Sequence, residues 1–292
     1  MKKFLRQILV FFAIPCGVLV VLLFLLNYLN NKAMADYKTN TGVQTLFMGD
    51  SHIECAINTA LLPGTTNLSQ SSESLLFTYF KLRNILQNNS AIKKVYLGFS
   101  YHNISSYADE FVYGQYAYDV AARYFFILPT EQKAEIVKHN LDELPRFAGK
   151  LIVNGFNTVI QEKESYSFLG GYKNEYKNMV ASKKSMDYRI SQQYYDNGMQ
   201  RNFSDISIKY FNKIIVLCKE KNIELILLKT PLHNYYQSKI PIDFIKKYDS
   251  LITRDKLKLI DLGSLVLNDS CYLPNGDHVS ARGALLTTNI FK

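Results

Sequence analysis

From Ile8 to Leu26 the chain reads Ile-Leu-Val-Phe-Phe-Ala-Ile-Pro-Cys-Gly-Val-Leu-Val-Val-Leu-Leu-Phe-Leu-Leu without a charge. That is close to the ~20 apolar residues that cross a bilayer as a helix, so the segment reads as a transmembrane anchor and is set apart from whatever the rest folds into. Lys2, Lys3 and Arg6 precede it, and the following flank (Lys32, Asp36, Lys38) is less basic. The positive-inside rule then keeps the N-terminus cytoplasmic and exports the remainder. The expected layout is a cytoplasmic N-terminus over 1–7, a single-pass signal anchor over 8–29, a polar tether over 30–42 and one extracytoplasmic domain over 43–292. Cleavage at Ala33-Met34-Ala35 is the alternative, against which the apolar stretch exceeds the ~7–15 residues of a signal peptide. Lipid attachment at Cys16 is disfavoured by Pro15 and by the hydrophobic sequence beyond it.

Within the exported part, short apolar runs alternate with helical patterns. Residues 43–48, 65–69 and 95–100 read as strands, and 71–87 as a helix with apolar Leu75, Leu76, Tyr79, Phe80 and Leu82 near a 3.6-residue period. The rhythm resumes with a helix capped by Ser204, a strand over 224–228, a turn at Thr230-Pro231, a helix over 241–253 and a strand over 257–262. Such alternation predicts an α/β fold, a parallel sheet flanked by helices in three layers, with ligand sites at the carboxyl ends of the strands. Residues 104–202 break the rhythm. They are rich in tyrosine (among them Tyr107, Tyr113, Tyr116, Tyr118, Tyr124, Tyr166, Tyr172, Tyr176, Tyr188, Tyr194 and Tyr195), with helical stretches near 130–140 and 144–160. They read as an inserted, mostly helical cap, whose tyrosines suit either sugar stacking or ordinary packing.

Composition narrows the function classes. Hydrophobic residues make up 48% of the 292, enough for a large core, and 34 Lys plus Arg against 25 Asp plus Glu give a net charge of +9 spread along the chain. No nucleic-acid module and no phosphate-cradling glycine loop is present. Four cysteines allow at most one bridge among the exported three, and buried free thiols are the simpler expectation.

Two blocks at opposite ends of the domain carry chemistry. Gly49-Asp50-Ser51-His52 follows the first strand, and Asp277-His278-Val279-Ser280-Ala281-Arg282-Gly283-Ala284 closes the chain. A serine in a turn after a strand presents its hydroxyl clear of the backbone, and a distant histidine can return to take its proton, because such sets are defined by geometry rather than sequence order. Ser51 is the candidate nucleophile and His278 the candidate base; the competing roles are a helix-capping serine and a loop histidine. His102 and His233 end strands on the same edge and are candidate substrate contacts. His52 should point away from Ser51 as a structural partner, His139 reads as surface, Asp50 fixes the turn and Glu54 is local. The histidines lack metal-ligand spacing, so neither a metal nor a cofactor is expected.

Together, the early Gly-Asp-Ser-His and the late Asp-His-Val-Ser-x-x-Gly-Ala resemble the first and last blocks of the SGNH, or GDSL-type, hydrolase superfamily, over about residues 43–103 and 203–292. The resemblance implies a serine esterase or acyltransferase with an Asp-x-x-His closing block. Here Asn275 stands three residues before His278. Either Asp277, if Gly276 turns the loop back, or Asn275 would then orient the imidazole. The family's oxyanion donors are the serine amide, a glycine amide in a second block and an asparagine side chain in a third. Ser51, Ser72 and Asn103 correspond, although no glycine occurs around residues 67–73.

With export and a tyrosine-rich cap, the resemblance implies a cell-membrane protein acting on O-acyl groups, O-acetyl first, of a cell-envelope or secreted polysaccharide. A membrane acyltransferase partner is implied by analogy with anchored SGNH-type proteins. The competing readings are a catalytically impaired glycan-binding or assembly protein and a lipase or phospholipase.

Overall fold

The computed structural model describes residues 2–35, 37–160, 168–174 and 179–292. Five parallel strands form one sheet: β1 (Thr45–Met48), β2 (Thr65–Asn67), β3 (Lys94–Gly98), β6 (Glu224–Lys229) and β7 (Lys258–Asp261), in the order β2-β1-β3-β6-β7. The short hairpin β4 (Tyr195–Asp196) and β5 (Met199–Gln200) stands apart. Val95, Leu97, Leu227 and Leu228 are all but fully buried in the central strands, as expected of a parallel sheet covered on both faces.

On one face lie α3 (Leu75–Asn88), α9 (Asp205–Glu220) and α11 (Ile242–Asp255), whose apolar stripes share a core with Val95 and Leu97; on the other lie α2 (Ser51–Ala56) and α12 (Ala281–Asn289), packed over Phe47 and Leu228. The three-layer α/β architecture expected from the alternating pattern is therefore the one observed. Because all five strands run the same way, the segments after β1, β3, β6 and β7 emerge at a single edge.

The insertion is largely helical: α4 (Glu110–Tyr113), α5 (Ala117–Tyr124), α6 (Thr130–His139), α7 (Leu144–Ile160) and α8 (Lys183–Tyr194), followed after β5 by the return to α9. The helix α10 (Asn234–Ser238) follows β6. Tyr166 and Tyr176 of the expected tyrosine-rich cap, and Asp36 of the expected tether, lie outside the described residues.

Two expectations need correction. The helix after β2 begins at Leu75, with Ser74 as N-cap, rather than at residue 71, because Ser72 takes a left-handed φ of 64° and turns the chain first. The tether does not start at residue 30 either. The first helix, α1 (Lys2–Ala35), runs on through the polar residues, since Leu26, Asn30 and Met34 recur at a four-residue spacing and bury one stripe against the domain. Asn30 Nδ2 donates to Gly155 O of α7 at 3.1 Å, which ties the end of α1 to the insertion.

Candidate active site

The first corner is built locally. Gly49 has φ +144°, and a Cβ there would lie 3.2 Å from Gly98 Cα of β3, so the close approach of the β1–α2 turn to its neighbour requires glycine. Asp50 then caps α2, its Oδ1 accepting the His52 amide at 2.9 Å. Ser51 stands as the first residue of the helix, half-exposed beside two openings.

The second corner comes from the chain's end. Leu273 and Gly276 close a turn (Gly276 N to Leu273 O, 3.0 Å), and Leu273 N donates to His278 O at 2.9 Å. Gly276 has φ +69°, and a Cβ there would meet Met186 Sδ at 2.4 Å. With the chain so folded, His278 Nε2 lies 2.7 Å from Ser51 Oγ, and Asp277 Oδ1 lies 2.8 Å from His278 Nδ1. Adjacent side chains diverge in an extended segment; the turn removes that restriction. Asn275 Nδ2 is also near Nδ1, at 2.9 Å, while Asn275 Oδ1 is buried with no hydrogen-bond partner among the described residues. For Nε2 to accept the serine proton, Nδ1 must carry hydrogen, and its donation to the Asp277 carboxylate fixes that tautomer. Asn275 assists it only when its oxygen faces the ring.

Asp277 is fully buried. Burial by itself would raise its carboxyl, yet the Arg189 guanidinium, His278 and their hydrogen bonds hold it well below the usual range. Its Oδ2 accepts from Arg189 Nε at 2.7 Å and from Gln193 Nε2 at 3.0 Å, both on α8 of the insertion. Neither residue was singled out by the sequence reading. A cation and an amide one helical turn apart in a polar helix look like solvated surface, and no local pattern marks them.

A second aspartate–histidine pair lies behind the first. Asp50 Oδ2 accepts from Asn103 Nδ2 at 2.7 Å and pairs with His102 Nε2 at 2.7 Å. Burial opposes ionisation of Asp50, but His102, His52 and the amide hydrogen bond hold its carboxyl far down. His102 in turn ionises only below its ordinary value, because burial and the neighbouring His52 outweigh the attraction of Asp50. With a neutral imidazole, Asp50 is still held anionic by three N–H donors. His52 fills the space between the pairs. Its ring stacks 4.1 Å from His102 and lies 4.6 Å from His278, with Nε2 3.4 Å from Asp277 Oδ2.

Nitrogen and carboxylate atoms of Asp50, His52 and His102, and of His52, Asp277 and His278, are close enough together to hold a cation, a clustering that linear spacing did not reveal. As they stand, most of these atoms are committed to one another or to Ser51.

Of the expected oxyanion donors, the Ser51 and Ser72 amides make no hydrogen bond to another described residue, and both residues line the openings beside the Ser51 hydroxyl. Ser72 takes a left-handed backbone, φ 64°. Asn103 lines the same cavity, but its side chain also braces Asp50 and accepts the Ser100 amide at 2.7 Å. His102 lines that cavity too. His233 does not fit the role of substrate contact. Its Nδ1 accepts the Tyr235 amide as the cap of α10, its Nε2 faces Asp269 Oδ1 at 3.1 Å, and it lines neither opening.

The smaller opening, 240 Å³, is bounded by Ser72, Leu75, Asn103, Tyr107, Phe111 and Arg189 among others; the larger, 940 Å³, is broad and of mixed character, with Met179, Leu273 and Pro274 beside Lys184, Tyr188 and Gln192. Cys55 borders the larger one, but burial pushes its thiol up to about 12, so it is no thiolate nucleophile at neutral pH. Cys218 and Cys271 are buried and free as well. Glu54, read as a local residue, is buried, which raises its carboxyl, and accepts a hydrogen bond from Ser71 Oγ.

No protein-family profile matches the chain, and no curated protein matches it. Among solved structures, the chain is similar to a candidate acylhydrolase from Bacteroides fragilis, with TM-score 0.40 and 12% identity over 88% of this chain and 89% of that one. It is also similar to a Streptococcus pneumoniae protein described as a candidate platelet activating factor, with TM-score 0.40 and 11% identity over 99% of this chain and 94% of that one. Both likenesses are too remote to bear on the chemistry of the site.

Proposed function

We propose that the protein is a membrane-anchored, SGNH-like serine esterase or O-acyltransferase that works outside the cytoplasm on O-acyl groups, acetyl first, of an envelope or secreted polysaccharide. The observation that carries the reading is the continuous line from Ser51 Oγ through His278 to Asp277, 2.7 Å and 2.8 Å. As His278 Nε2 takes the hydroxyl proton, Oγ attacks the ester carbonyl. The developing oxyanion meets the Ser51 and Ser72 amides, donors of a kind commonly worth ~2.7–4 kcal/mol each. His278 returns the proton to the departing alcohol, and water or an acceptor hydroxyl reverses the sequence. The broad opening, with exposed Tyr188 and the hydrogen-bonding side chains of Lys184 and Gln192, suits a sugar polymer, and the smaller cavity suits a short acyl group. A membrane acyltransferase would be a natural donor partner for the transfer reaction.

The test is the full chain in detergent with a fluorophosphonate probe and p-nitrophenyl acetate, beside Ser51→Ala and His278→Ala. Labelling and turnover present in the wild type and absent from both variants support the reading. A folded wild type that neither labels nor turns over favours a glycan-binding role, and preference for long acyl chains favours a lipase.

A further inference from the structure

The C-terminal half of α7 has no charged residue from Leu151 to Ile160, whereas its first half carries Arg146 and Lys150. Phe147, Leu151, Gly155 and Thr158 form its buried stripe. On the opposite side Val153, Phe156 and Ile160 face outward, Ile160 with 75% of its surface exposed. An outward helix face of large apolar side chains in an uncharged stretch is normally covered, by protein or by lipid.

Its depth is set by α1. Ile8 to Leu26 rises about 28 Å as a helix, which matches an apolar layer of ~30 Å and puts the outer boundary near Leu26. Independent markers agree: Lys133 Nζ donates to Asn27 Oδ1 at 2.6 Å, and exposed Tyr28 follows, a cation and an amphipathic ring of the kind that gathers at a bilayer surface. Gly155 sits against that boundary, since a Cβ there would lie 3.1 Å from Leu26 Cδ1. Leu22 and Leu23, about 5 Å further in, also pack against the domain core. The protein therefore descends below the level of Leu26, and its outward face at that contact is apolar.

We propose that the uncharged half of α7 is a second membrane element, lying beside α1 with Val153, Phe156 and Ile160 in the acyl region of the outer leaflet, and that the domain is thereby held in a fixed pose on the bilayer. This rests on the reading of α1 as membrane-spanning. Lipid is the occupant because this exposed apolar face stands beside the exposed apolar surface of α1, the two helices packing together where Gly155 meets Leu26.

The chain contains no tryptophan, so single reporters are unambiguous. The full chain would be reconstituted in phosphatidylcholine–phosphatidylglycerol vesicles as Phe156→Trp, with Phe24→Trp as the membrane reference and Val266→Trp as the water reference. Fluorescence would be read with bromine-labelled lipid and with aqueous iodide. The expected result is that Phe156→Trp is quenched by brominated lipid and shielded from iodide, as Phe24→Trp is. Quenching by iodide alone, as for Val266→Trp, would overturn the proposal, and shielding from both quenchers would replace lipid with a protein partner or a second copy. Failure of Phe24→Trp itself to respond to brominated lipid would remove the anchor, not the site chemistry.

Discussion

The two aspartate–histidine pairs use nearly the same parts for different ends. Asp277 and Asp50 are both buried carboxylates held anionic by nearby donors, each within 2.8 Å of an imidazole nitrogen. At the far nitrogen of His278 stands the Ser51 hydroxyl; no described hydroxyl is hydrogen-bonded to His102. The carboxylates also differ in what holds them. Asp277 is gripped by Arg189 and Gln193 from the insertion, whereas Asp50 is held by its own turn and by Asn103 from the end of β3. An aspartate–histidine pair is thus not a catalytic unit by composition. It becomes one only where the second nitrogen reaches a nucleophile, and the other pair serves as a brace for the corner that presents that nucleophile.

The sharpest way to separate the pairs is to neutralise each carboxylate in turn. Asp277→Asn should lower kcat for the ester reporter by ~10⁴-fold through loss of the correct tautomer. Asp50→Asn should leave kcat within about tenfold and instead lower stability by about 1–3 kcal/mol, as its three N–H partners lose a charged acceptor. Stopped-assay kinetics and urea melts on the two variants check this. Equal losses of kcat would collapse the distinction, and an unaffected Asp277→Asn would hand the orienting role to Asn275.

This contrast was only half visible in the sequence. The strand–helix alternation and the Gly49-Asp50-Ser51 corner are local, so the sheet, its exposed edge and the position of Ser51 could be read from spacing. Asp277 and Asn275 remained tied as candidates because the choice depends on a left-handed φ at Gly276 and on Met186 packed against it. Arg189 was illegible for a different reason: its partner is 88 positions away, and nothing in α8 announces a buried cation. The continuation of α1 to Ala35 was missed because polar Asn30 counts as tether in a hydropathy reading, although it is buried on Gly155.

Arg189 offers the next test, because it belongs to the insertion yet acts on the site. Arg189→Met removes one member of a largely buried ion pair, a change that costs up to ~3–5 kcal/mol when both groups are fully withdrawn from water; the partial exposure of Arg189 puts the loss toward the lower end. What survives at low temperature should lose activity at a higher pH than the wild type on the acid side. Without the guanidinium, burial dominates and the Asp277 carboxyl takes up a proton sooner. A pH profile of kcat/KM on both proteins measures the displacement. An unmoved acid limb would show that Asp277 does not need its cation.

The smallest effect lies in the brace. His102 is held neutral in the fold, its proton affinity reduced by burial and by His52, with Asp50 and Asp277 pulling the other way. In the unfolded chain it titrates near its ordinary value of 6.5. Between that pH and the lower folded value the unfolded state binds a proton that the folded state refuses, so stability falls as the solution is acidified through this window. One group contributes at most about 1.4 kcal/mol per pH unit. Asp50 and Asp277 add their loss only below their unfolded value of about 3.8, because their folded carboxyls lie lower still. Urea melts of the wild type and His102→Gln from pH 7.5 to 4.5 therefore isolate the imidazole. The wild type should lose stability more steeply over this range, and the difference should close above pH 7. Parallel curves would mean that His102 accepts its proton in place, and the Asp50 pair would then resemble the Asp277 pair more closely than its geometry implies.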